Sequence, residues 1–398
     1  MDRINSNFIL LFLVFLLALF VRIILLSSFP VGFHIDEASL GYNGYSMLKT
    51  GLSESGKFLP LYIDMFGDFR PSGYHYLTIP TVVIFGLTEF ATRFPGAFFG
   101  ALSILAIYSL AFVLFRDKRI AIVSSLLLTF TPWHFGLSRA SGEAIISLFF
   151  ILLGFTFIIL SIREEKIKHL VLGTIIASLS FFFYHTSRVF VPLLFLVLIG
   201  FLFNEWRKYG NKFKIYLFSS FAAIVLLTAV FVFGVSGGTG RFTQVNILKS
   251  FETTFQLNQQ LIEDSKGHVP RILSRSVHNK ATNVSYMFVD NYLEYFGLNF
   301  LFTQGGLPNW YLIPRVGILL VFELPFILFG IFLLLKSQGI FYKVPLIWLL
   351  VGPIVAALTL DDIPNINRAS VMFPMFELIA AFGVVGFVDR VKNKRKKI

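Results

Sequence analysis

The chain of 398 residues has no cysteine. Disulfides and thiolate metal sites are therefore excluded, and cysteine usage carries no information about compartment. Charge is scarce as well, with Asp, Glu, Lys and Arg making up 14% of the residues. A chain this poor in charge and 56% hydrophobic, with a mean hydropathy of +0.76, does not read as a soluble domain. Acids are outnumbered by bases, 22 to 34, for a net charge of +12. In a soluble protein that excess would suggest nucleic acid. Here the bases gather in short loops and at the C-terminal end, so no nucleic-acid partner is expected. The four tryptophans are isolated from one another. There is also no HExxH or similar ligand spacing that would mark a metal site.

What the chain has instead is apolar runs of near-spanning length from end to end, with 50 phenylalanines. The runs are continuous rather than alternating, which argues for helices and against a barrel. Clear spans are expected near 8–29, 94–115, 120–135, 144–162, 170–184, 189–203, 213–234, 316–335, 344–360 and 370–388. Residues 8–29 are long for the apolar core of a signal peptide and are read as a retained first span. The segment 74–87 is short and contains Pro80, so it is read as interfacial.

Parity supports this reading. With 74–87 at the interface, the turns 116–119, 163–168, 204–214 and 336–343 and the tail from Arg390 all fall on one side, and all are basic. By the positive-inside rule that side is cytoplasmic. The expectation is an all-α polytopic membrane protein of about ten transmembrane helices, with interfacial helices in the first outer loop. Both termini are expected in the cytoplasm, and the membrane is expected to be a plasma (inner) membrane. Three parts follow: a membrane module over 1–234 whose first outer loop is 30–93, a long outer loop over 235–315 and C-terminal spans with a basic tail over 316–398. The loop opens with the glycine-rich turn 234–240 and becomes amphipathic at Tyr286–Phe302. No separate soluble domain is expected beyond the last span.

Polar residues then collect at the outer level. His34, Asp36, Glu37 and Tyr42 follow span 1, and Asp68, Arg70 and His75 precede the interfacial piece. Ser138, Arg139 and Glu143 lie between spans 3 and 4; Tyr184, His185 and Arg188 between spans 5 and 6; Asp361, Asp362, Asn365, Asn367 and Arg368 between spans 9 and 10. Guanidinium groups at membrane level suit a lipid phosphate, because the planar fork matches phosphate oxygens. A carboxylate at the same level suits a base that deprotonates an acceptor hydroxyl. Asp36 and Glu37 are the candidates for that chemistry, with Asp36 preferred as base and Glu37 as support. Arg70, Arg139, Tyr184, His185, Arg188 and Arg368 are candidates for the donor phosphate, and His34, Tyr42, Asp68 and Glu143 for the acceptor or for supporting positions. Arg22 is expected to snorkel to headgroups, and Glu323 and Glu377 to hydrogen-bond between helices. His34, His75 and His185 could with Asp36 ligate zinc or manganese, but no cofactor is required by the pattern.

At these residues the chain resembles the C-type glycosyltransferases of the protein O-mannosyltransferase and lipid A aminoarabinose transferase group. The resemblance rests on Asp36-Glu37, on Gly67-Asp68-Phe69-Arg70-Pro71, on Glu89-Phe90-Ala91-Thr92-Arg93-Phe94-Pro95, on Ser138-Arg139 and on Tyr184-His185 with Arg188. It covers about the first 190 residues and continues more weakly through 362–368. It implies a polyprenyl-phosphate sugar donor, an active site on the outer face, a protein, lipid or glycan acceptor, surface helices in the first loop and Asp36 as the catalytic aspartate. The chain departs from the group at Arg70, where many relatives carry Lys or His, and at Ser72, which replaces a second proline. A lipid transporter or flippase would instead show repeated halves and a midplane site. An oligosaccharide ligase of this architecture would carry a Trp-Trp-Asp type motif. Neither sign is visible.

Overall fold

The computed structural model describes residues 2–65, 67–140, 142–234, 246–248 and 251–395. Most of the expected glycine-rich turn lies outside these residues. The first helix, α1 (Asp2–Ile23), leads through a turn into α2 (Ile35–Thr50). His34 caps α2: its Nδ1 accepts the amide of Asp36 at 3.2 Å, and its own amide donates to Glu37 at 3.1 Å. This reciprocal pairing satisfies the free donors of the first turn. Gly51 ends α2 in the left-handed region, at φ 75°. A hairpin of β1 (Tyr62–Met65) and β2 (Asp68–Pro71) pairs Ile63 with Arg70 and Met65 with Asp68, turning at Gly67. Then come α3 (Gly73–Phe85) and the long α4 (Glu89–Phe115). α2 lies so close to its neighbours that a side chain at Gly41 would collide with Thr92, and one at Gly44 with Thr78.

The bundle continues with α5 (Lys118–Phe130), α6 (Pro132–Arg139), α7 (Glu143–Glu164), α8 (Ile167–Leu179), α9 (Ser187–Leu202) and α10 (Asn211–Phe233). After the long connection come α11 (Phe251–Lys266), α12 (Lys280–Glu294), α13 (Leu324–Lys336), α14 (Ile340–Val351) and α15 (Pro374–Arg395). Among the described residues, Glu89–Phe115, Glu143–Glu164, Asn211–Phe233 and Ile340–Ala357 are long and apolar enough to cross a membrane; the α5–α6 pair, bent by 57°, makes up to five. Phe8–Ile23, Ile167–Phe182 and Ser187–Leu202 are apolar but shorter.

Prolines explain why several expected spans are shortened or broken. Pro132 splits the run at 120–135, with Thr131 extended before it. Pro325 sits in the first turn of α13, so the expected span 316–335 becomes helical only from 324. Before it lie a short 3₁₀ turn at Val321–Glu323 and non-helical chain, with Leu319 donating to Leu301 at 2.8 Å. The amphipathic stretch expected over Tyr286–Phe302 also divides. α12 stops at Glu294, and Tyr295, Phe300 and Leu301 enter the core.

The basic turns meet at one end of the bundle. Arg119 bridges Asp117 and Asp389, at 2.7 and 2.6 Å, and Arg163 lies over the ring of Phe341 at 3.8 Å. Glu165 accepts the amide of Gly210. Arg22 corrects the snorkelling expectation, since it is 0% exposed. It donates to the Ala18 carbonyl at 3.0 Å and to His134 Nδ1 at 2.8 Å, because α6 covers the end of α1. Trp133 donates to Glu377 at 2.8 Å and Thr131 to Glu323 at 3.4 Å, so both buried acids do hydrogen-bond between elements.

Candidate active site

The first turn of α2 sends its two adjacent acids in different directions. Glu37 is 3% exposed and takes both Nε and Nη2 of Arg93, at 2.8 and 2.9 Å. The same guanidinium donates to the carbonyls of Leu26, Ser27, Pro30 and Gly32. Glu37 therefore fixes the turn between α1 and α2 and does not line the cavity. That removes it from the catalytic pair, because a carboxylate with both oxygens on a buried arginine is committed to holding that arginine.

Asp36 faces the cavity. Its Oδ2 lies 3.0 Å from Arg70 Nη1 and 3.6 Å from His34 Nδ1. Arg70 also meets Asp68 at 3.2 Å and Glu143 at 3.7 Å, so one guanidinium faces three carboxylates. Burial alone would lower the pKa of Arg70, but the charges of Glu143, Asp36 and Asp68 outweigh it and raise the pKa. Arg70 is thus a fixed positive charge. Behind it His75 is fully buried, and burial with the Arg70 charge pushes its pKa down to about 3, so its ring is neutral. Glu143 begins α7, and its Oε1 has no hydrogen-bond partner among the described residues.

The cavity measures about 530 Å³ and is lined by Asp36, Asp68, Arg70 and Glu143 together with Tyr184, His185, Arg188, Trp310, Tyr311, Asn365 and Arg368. Its remaining polar wall carries Arg188 and Arg368, with Asp362, Asn365 and Asn367 beside them. Arg188 is buried at the start of α9, with two bonds to the Phe181 carbonyl and one, of 2.9 Å, to His185 Nδ1. It stands over the ring of Tyr62 at 4.9 Å, and among the described residues it pairs with no carboxylate. His185 uses Nε2 to donate to the Phe69 carbonyl at 3.0 Å, which ties this wall to β2. Arg368 donates to Thr359 Oγ1 at 2.8 Å and to Asp361 Oδ2 at 3.2 Å.

Seven of the expected residues thus line one cavity: Asp36, Asp68, Arg70, Tyr184, His185, Arg188 and Arg368, with Glu143 as an eighth. His34 stands beside it, as the cap on Asp36. Three do not come to it. Glu37 is held by Arg93. Arg139 is spent on the carbonyls of Val21, Arg22, Leu25 and Phe29, where it caps the end of α1. Tyr42 is 52% exposed and outside the lining. Sequence reasoning missed Trp310 and Tyr311, which approach from a loop more than 270 positions away in the chain. The one available signal was an aromatic pair beside Pro308 in a loop joining apolar runs.

The metal alternative does not fit. Among the described residues no three His, Asp or Glu side chains form a ligand group. The guanidinium of Arg70 also stands against Asp36, Asp68 and Glu143, where a cation would have to sit.

Residues 70–233 match the family model described as dolichyl-phosphate-mannose-protein mannosyltransferase. The fold is similar to the archaeal oligosaccharyltransferase AglB from Archaeoglobus fulgidus, solved with an inhibitory peptide and a dolichol-phosphate. That match has a TM-score of 0.58 at 14% identity and covers 99% of this chain and 52% of AglB. It is also similar to ArnT from Cupriavidus metallidurans bound to undecaprenyl phosphate, with a TM-score of 0.53 at 11% identity over 96% of this chain and 60% of ArnT. Apo ArnT gives 0.50 at 11% identity over 87% and 54%. The chain thus spans about half the length of the solved structures it matches. No curated protein matches it by sequence. The chain shares the C-type glycosyltransferase fold of AglB and ArnT, and residues 70–233 are similar to the protein mannosyltransferase family whose group its opening motifs resemble.

Proposed function

We propose that the chain moves a sugar, in the first instance a hexose, from a polyprenyl-phosphate donor to a hydroxyl on a protein, lipid or glycan acceptor. The observation that carries this reading is the two-sided cavity: Asp36 with Asp68 and Glu143 on one part of its wall, and on another Arg188, a buried cation that among the described residues pairs with no carboxylate. A buried cation without a counter-ion favours an anionic ligand. The dolichol-phosphate in AglB and the undecaprenyl phosphate in ArnT support a lipid phosphate as that ligand.

In the proposed step Asp36 accepts the acceptor hydroxyl proton as that oxygen forms a bond to the anomeric carbon. The bond from that carbon to the phosphate oxygen breaks, and its electron pair leaves with polyprenyl phosphate. Arg188 and Arg368 stabilise the added negative charge. Attack opposite the leaving group inverts the anomeric carbon. Arg70 holds Asp36 in place without itself giving up a proton. The clustered basic turns favour cytoplasmic termini and an outer-face site in a plasma membrane. In this reading the chain divides into three parts at 234 and 315. The fold likeness to AglB keeps an oligosaccharide ligase as the second reading.

The test is Asp36→Asn in proteoliposomes given a radiolabelled polyprenyl-phosphate hexose and an envelope extract. A loss of about 10²-fold or more is expected. Transfer at the parental rate would rule out Asp36 as base, and a polyprenyl donor that is not consumed with any acceptor would overturn the transferase reading. Transfer only from an oligosaccharide donor would favour the ligase. Because the chain has no cysteine, Val31→Cys gives a single label site that is 84% exposed. Reaction only from the cytoplasmic side would refute the topology.

A further inference from the structure

Trp310 is 49% exposed, yet it belongs to the wall of the cavity that holds Asp36. Its ring stacks on His34 with centroids 4.4 Å apart and planes 16° from parallel. His34 is the residue that caps α2 and stands 3.6 Å from the Asp36 carboxylate. An indole is therefore set at a fixed position relative to the acid.

The loop that carries it is anchored on both sides. Leu307 exchanges backbone bonds with Pro364 and Ile366, at 2.9 and 2.8 Å. On the other side the backbone of Ile318 accepts the amide of Trp133 at 3.2 Å. The carbonyl of Tyr311 lies so close to Gly136 that any side chain there would collide with it. Between the anchors at Leu307 and Tyr311 the residues 309–310 stay exposed. Half-exposed tryptophan costs hydration, and here no lipid-facing span accounts for it. Phe233, the other large exposed ring on the wall, ends a helix long enough to span, where lipid contact explains its exposure.

Resting on the transferase reading, we infer that Trp310, backed by His34, is the stacking platform for a pyranose ring held beside Asp36. A pyranose presents a face of C–H groups that packs on an aromatic ring, while its hydroxyls remain free for polar partners. The Glu143 carboxyl group on the same cavity wall supplies a polar partner for one of them. The ring comes from one of two sources, the donor sugar or an acceptor glycan. Trp310 is a positioning residue, since it takes no proton and forms no bond.

Tryptophan fluorescence distinguishes the sources. Of the four tryptophans, Trp133 and Trp348 are fully buried, and Trp206 lies against Phe203 in the basic turn. Purified full-length protein and its Trp310→Phe variant are titrated with polyprenyl-phosphate mannose, with the same lipid phosphate lacking sugar, and with methyl mannoside. A change with polyprenyl-phosphate mannose that the bare lipid does not give, and that Trp310→Phe abolishes, assigns the donor ring. The same result with methyl mannoside alone assigns an acceptor glycan. Equal responses to the bare and the sugar-bearing lipid, or none to either sugar, overturn the platform.

Kinetics give the second readout. Trp310→Ala should raise KM for the sugar-bearing substrate roughly tenfold with kcat within about threefold, and Trp310→Phe should restore most of it. Unchanged KM in an active Trp310→Ala overturns the inference and leaves the transferase reading standing. Absence of transfer by the parent protein, with radiolabelled lipid donor failing to bind, marks failure of that reading instead.

Discussion

Asp36→Asn and Glu37→Gln are isosteric changes one residue apart, and the structure assigns them opposite consequences. Glu37 gives both oxygens to Arg93, and neither side chain is accessible. Breaking one side of a buried pair leaves an uncompensated charge and costs about 3–5 kcal/mol. In Glu37→Gln the remaining Arg93 still has the carbonyls of Leu26, Ser27, Pro30 and Gly32, so the cost should sit near the low end, about 3 kcal/mol. Arg93→Met strands the carboxylate and those carbonyls together and should reach about 5 kcal/mol. The double variant should cost less than the sum by about 1–3 kcal/mol, because the two share one interaction. Asp36→Asn removes only a partly exposed pair, with Arg70 keeping Asp68 and Glu143, so stability should change by no more than about 1 kcal/mol. Its effect belongs in transfer, as a loss of about 10²–10⁴-fold. Thermal unfolding in detergent, read beside transfer in proteoliposomes, separates the two. The reasoning is refuted if Glu37→Gln unfolds like the parent while its transfer falls as far as that of Asp36→Asn.

Two further outcomes follow from the same geometry. His75 has its pKa depressed from 6.5 to about 3, so the unfolded chain binds a proton that the folded chain refuses. Its contribution is fully present above about pH 6.5 and is lost as pH falls toward 3, amounting to about 2 kcal/mol at pH 5. The thermal midpoint should drop between pH 7 and pH 5, and His75→Asn should flatten that slope. Arg139 and Arg188 should also part company. Arg139→Met, which frees four carbonyls, should lower the thermal midpoint while leaving the donor KM of the folded fraction unchanged. Arg188→Gln should raise the donor KM roughly tenfold or more, measured with the radiolabelled lipid.

Much of this was legible in the sequence. Continuous apolar runs required helices in a membrane, and the alternation of basic and polar turns sorted the loops onto two sides, because desolvating charge is costly wherever it occurs along the chain. That sorting brought Asp36, Arg70, Glu143, Arg188 and Arg368 to one end, where the structure finds them around one cavity. The sequence could not say which acid or which arginine faces that cavity. Asp36 and Glu37 are adjacent and chemically alike, and only the helical turn of roughly 100° per residue, with Arg93 waiting on one side, separates their roles. Arg139 and Arg188 both follow span ends, but the carbonyls at the end of α1 lie within reach of the first and not the second. Trp310 was passed over because no acid lies near it in sequence. Its place against His34 is decided by a backbone pairing of Leu307 with 364–366, a contact between distant segments that leaves no local pattern in the chain.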